Sequence, residues 1–229
     1  MNDAAIRPFL YPLLAGGVHV DELPTGNTRA DVVHITEGFM HGYEIKGDND
    51  TLKRVPNQLR CYSQAYDLVS FVITQKHVAG VLELVPEWVG IYVASEQGLS
   101  SLRPARLHEQ VQRRNLAFLL LAGEVKAFLR DRGEKGLSRL RNFELGSWLA
   151  GAEHIPLTEL GAFVRRQLIE RMPQRLARRQ NMKVQRDQSA ASQREQKEKY
   201  RAMLERMANE EPEWYEENKS YLEAELKRM

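Results

Sequence analysis

The chain has 229 residues, of which 42% are hydrophobic, so it can form one or two domains with a buried core and is not wholly disordered. Its formal net charge of +2 at pH 7 excludes a molecule that is strongly basic as a whole, and the distribution of charge matters more than the total. Cys61 is the single cysteine, which excludes an internal disulfide and a cysteine-rich zinc site and fits a reducing cytoplasm.

The sequence carries no good export or membrane signal. The apolar stretch near the N-terminus is short, is broken by Arg7, Pro8 and Pro12, and follows Asp3 instead of a basic cluster, whereas a signal peptide has a positive start and an unbroken apolar segment. No segment reaches the roughly 18 uncharged apolar residues that a membrane span needs. We therefore predict a soluble, cytoplasmic protein that does not bind a membrane.

The hydrophobic periodicity of the first hundred residues predicts alternating helices and strands. The predicted elements, in chain order, are a helix over 2–15, strands over 18–23, 30–35 and 39–46, a helix over 54–66, a strand over 69–74, a helix over 76–84 and a strand over 88–93. The second and third strands are close enough in sequence to pair as a hairpin. This order predicts an α/β fold: a mixed sheet with helices packed on its faces.

The remainder of the chain is predicted to be all-helical. Amphipathic patterns cover 115–130, 138–150 and 157–179, and beyond residue 180 the sequence is charged and poor in large apolar residues until Trp214. That last part is either a long solvated helix or a partly disordered tail. We predict three parts: an α/β domain over 1–100, a helical domain over 101–185 and a charged helical tail over 186–229.

Two predicted strands carry the residues that suggest chemistry. Asp31 lies in one strand, and Glu44 and Lys46 lie in the next. Residues two apart on a strand point to one face, so Glu44 and Lys46 should project together while Ile45 points to the opposite face. If the strands form a hairpin, Asp31 can approach Glu44 across the pair.

Acidic and basic groups in this arrangement can support phosphodiester hydrolysis. Two carboxylates that are close together repel each other unless a cation lies between them, and hard oxygen ligands suit Mg²⁺ or Mn²⁺. A neighbouring lysine adds positive charge beside a scissile phosphate and can orient an attacking water or help to deprotonate it. A Glu-x-Lys on a strand is more often only a solvated face, so further features have to support this interpretation.

The following helix supplies such a feature, because Gln58 and Tyr62 lie four residues apart and so share one face. Asp31, Glu44-Ile45-Lys46 and the Gln58-x-x-x-Tyr62 element together resemble the PD-(D/E)XK, or restriction-endonuclease-like, nuclease superfamily, and the last element resembles its RecB-like and Cas4-like branch. The string from His41 to Arg54 is similar to a family of small bacterial nuclease-like proteins within that superfamily. The resemblance covers roughly residues 1–95.

The resemblance implies a role for each matching residue. Asp31 and Glu44 would bind the metal together with the carbonyl of Ile45, and Lys46 would be the catalytic lysine. Gln58 and Tyr62 would steady the lysine or the phosphate.

The superfamily often has a further acid upstream. Glu22 is our candidate for it, and Asp21 is less suitable because strand alternation turns its side chain the other way. Ala30 stands where the superfamily often has a proline before the first acid.

The expected activity is therefore Mg²⁺- or Mn²⁺-dependent hydrolysis of phosphodiester bonds, with nucleic acid, foremost DNA, as the partner. A catalytically silent nucleic-acid-binding or regulatory protein with the same fold is the alternative. Basic residues concentrated between Arg165 and Arg186 could contact phosphates or form a solvated helix face. The helical C-terminal region could also form a homodimer.

Overall fold

The computed structural model describes residues 1–228, apart from the side chains of Asn142 and Arg179. It is a mixed α/β protein with a helical C-terminal region, as the sequence predicts. Within residues 1–228, no helix combines the length and the apolar character needed to cross a bilayer.

The strands are numbered in chain order: β1 (Val18–Thr25), β2 (Thr28–Ile35), β3 (Met40–Lys46), β4 (Leu68–Thr74), β5 (Gly90–Ser95) and β6 (Gly98–Arg103). The helices are α1 (Asp3–Leu10), α2 (Val55–Ser63), α3 (Val78–Leu84), α4 (Arg113–Ala117), α5 (Ala122–Arg130), α6 (Asn142–Gly151), α7 (Leu157–Glu170), α8 (Met172–Glu210) and α9 (Pro212–Arg228). Short 3-10 turns extend or precede α1, α3 and α6.

The six strands form one sheet in sequence order, β1-β2-β3-β4-β5-β6. The β1–β2, β2–β3 and β5–β6 pairs are antiparallel, while β3–β4 and β4–β5 are parallel. The predicted hairpin of β2 and β3 is therefore confirmed. Strand β6 was not predicted, because Gly98-Leu-Ser-Ser-Leu-Arg103 lies at the sheet edge, is largely exposed and lacks the apolar content of a central strand.

Each face of the sheet is covered by helices. On one face, Ile6 and Leu10 of α1 pack against Val32, Tyr43 and Ile45 of the sheet. The other face packs against α2 and the helices between residues 113 and 170. Lateral pairing of β3 between β2 and β4 together with these two helical layers buries all seven residues of β3.

Two predicted helices are wrong in their extent. The helix predicted over 115–130 is interrupted, because α4 ends at Ala117 and α5 begins at Ala122. The helix predicted over 157–179 ends at Glu170, and α8 then continues as a separate helix to Glu210. Of the two alternatives for the charged segment beyond residue 180, the structure therefore has the long helix.

The chain divides into two compact units, residues 1–172 and residues 173–229. The first unit contains the sheet and the helices through α7, and the second contains most of α8 together with α9. This boundary differs from the boundaries of the three predicted domains, 1–100, 101–185 and 186–229. Whether those three parts fold independently stays a prediction.

Candidate active site at the end of the β2–β3 hairpin

Glu44 and Lys46 lie side by side on the face of β3 that packs against α2. The Lys46 Nζ atom donates to Oε1 of Glu44 at 2.6 Å, and each side chain is only 2% exposed. Ile45 points to the opposite face, into the cluster beneath α1, so the alternation expected of a strand holds here. This ion pair is buried, so neither charge is balanced by water and each depends on its protein partners.

Helix α2 supplies two further donors to the same carboxylate. Nε2 of Gln58 donates to Oε1 of Glu44, and the Tyr62 hydroxyl lies 2.5 Å from Oε2 of Glu44 and 2.8 Å from the carbonyl oxygen of Arg29. Burial, followed by the charge of Glu44, raises the pKa of Tyr62 above its usual value. The hydroxyl therefore stays protonated and can act as a donor. The spacing of four residues on α2 thus brings Gln58 and Tyr62 to one acid.

Asp31 lies where β2 and β3 cease to pair in a regular ladder. The paired residues run from Ile35 and Met40 to Val32 and Tyr43. One residue further along, Oδ2 of Asp31 accepts the N–H of Ile45 at 2.7 Å. A side-chain oxygen thus accepts a hydrogen bond from the β3 backbone, and this fixes the carboxylate beside β3.

The negative charge of Asp31 is poorly balanced by its surroundings, although the residue is partly buried. Burial and then the negative charge of Glu44 raise the pKa of Asp31 to about 7, although the hydrogen bond from Ile45 acts in the opposite direction. A raised pKa of this kind is common at functional sites, where a cation or a proton relieves the repulsion. At neutral pH the group can therefore exchange a proton or accept a positively charged partner.

On the side of α1, Asp31 joins a second group of acids. One carboxylate oxygen from each of Asp3, Glu22 and Asp31 lies within 4.8 Å of the others, and all three residues are partly exposed. We call these three residues the acidic cluster. Three hard oxygen donors at this separation suit Mg²⁺ or Mn²⁺ by their chemistry.

Arg7 of α1 is the cation that contacts all three residues of the acidic cluster. Its Nε donates to Asp3 at 2.6 Å, its Nη2 donates to Glu22 at 2.7 Å, and its Nη1 donates to the carbonyl oxygen of Asp31 at 2.9 Å. Burial lowers the pKa of Arg7, but hydrogen bonding to Asp3 and its other partners outweighs this and raises the pKa overall. Arg7 is therefore charged and already neutralises part of the cluster.

The backbone of Glu22 is unusual and explains why strict alternation was a poor guide in β1. Glu22 has a φ of +57°, and it is the non-glycine residue with a positive φ among residues 1–228. The residues on either side of it pair regularly, Asp21 with Val32 and Leu23 with Ala30. Asp21 also contacts Arg7, with 3.5 Å between its Oδ1 and Nη1, so the expectation that Asp21 turns away is wrong.

The structure thus brings the predicted residues together in two adjoining groups. Glu44, Lys46, Gln58 and Tyr62 form a buried group whose carboxylate has three donors, while Asp31 and Glu22 belong to the acidic cluster. The expectation that Asp31 and Glu44 hold one ion with the carbonyl of Ile45 stays a prediction.

The sequence reasoning missed Asp3 and Arg7. Their spacing of four residues on a predicted helix was a usable signal, since it places an acid and a base on one face.

Comparison with known proteins gives a family. A family model described as "Bacteriophage P4 protein cII" matches residues 16–196, which is more than half of the chain. Protein cII of Enterobacteria phage P4 is 31% identical over 103 residues, which are 43% of this chain and 38% of that protein, so the match spans well under two thirds of the relative's length.

Among solved structures, the SPO1766 protein of unknown function from Silicibacter pomeroyi matches 59% of this chain and 94% of its own, with 19% identity and a TM-score of 0.39. A similarity this low supports no conclusion about fold or function. The match of residues 16–196 is the finding that assigns the family: the chain belongs to the bacteriophage P4 cII protein family.

Proposed function

We propose that the protein is a metal-dependent nuclease of the PD-(D/E)XK, restriction-endonuclease-like kind, acting on phosphodiester bonds, foremost in DNA. The observation that carries the proposal is that Asp31 belongs to the acidic cluster and also interacts electrostatically with Glu44 of the buried group. Acids and a lysine from separate elements meet at one end of the β2–β3 hairpin, next to partly exposed carboxylates. The single cysteine fits the cytoplasmic location that we also propose.

Each residue has a distinct part in this proposal. Asp31 and Glu22 would hold a divalent cation together with Asp3, and the cation would supply Lewis-acid stabilisation of charge on the phosphate. Arg7 balances the acids until the cation binds. Lys46 would bring its ammonium group to the phosphate once its contact with Glu44 is relaxed.

Gln58 and Tyr62 are positioning residues for Glu44. Their donors fix both oxygens of this carboxylate, and the carboxylate in turn orients Lys46.

A nuclease assay tests the proposal directly. Full-length protein is incubated with single-stranded, double-stranded and branched DNA, and with RNA, in Mg²⁺, Mn²⁺ or EDTA. We expect cleavage that requires the metal and is abolished in Asp31→Asn and Lys46→Gln. Asp131→Asn, a substitution of an exposed acid at the end of α5, is the matched control and should cleave like the parent. Cleavage in EDTA, or cleavage that survives in both site variants, would overturn the proposed site.

A catalytically silent binding protein is the second candidate, and one observation favours it. Glu44 and Lys46 are each 2% exposed and neutralise each other, which is also the arrangement of a structural ion pair. The same assay separates the two functions, because a silent protein would bind DNA in the presence of Mg²⁺ or Mn²⁺ and leave it intact.

A further inference from the structure

The first part of helix α8 carries its basic residues on one side. Between residues 173 and 195 the sequence has six basic residues, Arg175, Arg178, Arg179, Lys183, Arg186 and Arg194, and only two acids, Asp187 and Glu195. At about 100° per residue, all six basic positions fall within about 160° of the helix circumference. Glu195 lies on the other side, and Asp187 lies at the margin.

Four of these six residues are exposed to solvent. We call the exposed residues Arg178, Lys183, Arg186 and Arg194 the basic stripe. Their side chains make no ion pair or hydrogen bond with any other described residue of the chain. From Arg178 to Arg194 the stripe extends over about 24 Å at a rise of about 1.5 Å per residue. Within the part of the chain that the structure describes, it is therefore a row of charges without ion-pair partners.

The rest of this part of the helix offers little to a membrane or to an apolar protein surface. Leu176, Met182 and Val184 are exposed, but they lie on three different sides of the helix at about 100° per residue. A helix that lies in a membrane surface needs a broad apolar face, and a stable protein interface needs an apolar centre. Both are lacking along the stripe.

We infer that the basic stripe of α8 binds the phosphate backbone of a nucleic acid without reading its sequence. A row of arginine and lysine side chains neutralises successive phosphates and releases their counterions, which gives affinity that falls steeply with salt. The stripe extends the proposed function, since it would hold the substrate of the nuclease, but it binds whether or not the chain cleaves. Its partner is identified by charge alone, so duplex DNA, single-stranded DNA and RNA are separate arms of the test.

Binding is measured with the full chain in EDTA, where no metal-dependent cleavage can occur. Fluorescently labelled duplex DNA of mixed sequence is titrated at a series of KCl concentrations, and single-stranded DNA and RNA are titrated in parallel. The stripe variant is Arg178→Gln, Lys183→Gln and Arg186→Gln, since glutamine keeps nearly the same helix propensity. The matched control is Lys199→Gln, Arg206→Gln and Lys227→Gln, which changes the charge equally at exposed positions outside the stripe.

We expect the stripe variant to bind duplex DNA about tenfold or more weakly. The slope of log affinity against log salt should become less steep by about 0.9 for each lost phosphate contact. The control should stay within about twofold of the parent. Circular dichroism checks that both variants keep their helix content.

Equal losses in both variants would overturn the inference, because they would reflect net charge alone. So would a parent protein that binds no nucleic acid, or one that binds anionic phospholipid vesicles through the stripe in preference to all three nucleic acids. If the parent binds through the stripe but never cleaves, the proposed nuclease activity fails while the binding surface stands.

Discussion

The two acidic groups beside the β2–β3 hairpin differ in how their charges are balanced. Glu44 is 2% exposed and accepts from Lys46, Gln58 and Tyr62. Asp31, Asp3 and Glu22 are partly exposed and have Arg7 among them, and Arg29 also pairs with Glu22. The first group is a closed network in which each partner is needed, whereas the second has three carboxylates against two arginines.

This difference indicates which of the two groups can more easily bind a proton or a metal ion. A buried carboxylate with a full set of donors costs a great deal to disturb. Partly exposed acids that repel one another can gain a cation or a proton at little structural cost. We therefore expect substitutions in the first group to lower stability in addition to any effect on cleavage, and substitutions in the second to act mainly on responses to pH and metal.

Removing the buried lysine should have the largest effect. Lys46→Met leaves the charge of Glu44 buried without a counter-charge and should lower the free energy of unfolding by about 3–5 kcal/mol. Urea unfolding followed by circular dichroism measures the change. The double variant Glu44→Gln/Lys46→Met should recover much of the loss, and Lys53→Met, at an exposed position, is the matched control. A single variant as stable as this control would mean that the pair is not buried as described.

Replacing the arginine of the acidic cluster should have the next largest effect. Arg7→Gln removes charged hydrogen bonds to Asp3 and Glu22 and should cost about 2 kcal/mol of unfolding free energy. Arg29 contacts the same Glu22 at 2.7 Å but is 64% exposed, compared with 14% for Arg7. Arg29→Gln should therefore cost well under about 1 kcal/mol.

The effect of Mg²⁺ on the melting temperature of Arg7→Gln is a second measurement on the acidic cluster. Mg²⁺ should restore part of the stability of Arg7→Gln and raise its melting temperature more than that of the parent, because the cation then replaces the missing guanidinium. A melting temperature that Mg²⁺ leaves unchanged would argue against a cation site in the acidic cluster.

The sequence predicted the buried group better than the acidic cluster, for a physical reason. Strand alternation places Glu44 and Lys46 on one face, and the helical spacing of four places Gln58 and Tyr62 together. Both rules are local, and a hairpin with one following helix is enough to join the two pairs. The mixed sheet and the helical C-terminal region followed from the same local periodicity.

The acidic cluster depends on features that local rules do not encode. Asp3 and Arg7 reach Asp31 only because α1 packs back across the sheet through Ile6 and Leu10. The positive φ of Glu22 breaks the alternation that the sequence argument assumed. Edge strand β6 was missed for a related reason, because an exposed edge strand needs no apolar pattern.

A smaller effect is expected at the hydroxyl group that contacts Glu44. Tyr62→Phe removes the donor to Oε2 of Glu44 while keeping the buried ring, and should cost about 1–2 kcal/mol of unfolding free energy. Tyr221→Phe, at a side chain that is 65% exposed, should cost nothing measurable. If Tyr62→Phe is equally harmless, the hydrogen bond to Glu44 contributes nothing to stability.

The smallest effect that we expect is a dependence on pH at Asp31. Its pKa is about 7 in the folded protein against 3.8 as the ordinary value, so between these values the folded state holds more protons than the unfolded state. The contribution of Asp31 to the stability of the parent should therefore fall as pH rises from about 4 to about 7. Asp31→Asn keeps an oxygen that can accept the N–H of Ile45 but cannot titrate.

At pH 8 the Asp31→Asn variant should accordingly be more stable than the parent by at least about 1 kcal/mol, after allowance for the partial exposure of the group. At pH 4 the two should be nearly equal. Added Mg²⁺ should narrow the difference at pH 8, because a cation compensates the ionised carboxylate of the parent and has less to bind in the variant. Urea unfolding at both pH values, with Asp187→Asn as the matched control, measures this. A variant that is less stable than the parent at pH 8 would mean that Asp31 is already fully compensated by Arg7, and the reason to expect a cation in the acidic cluster would be lost.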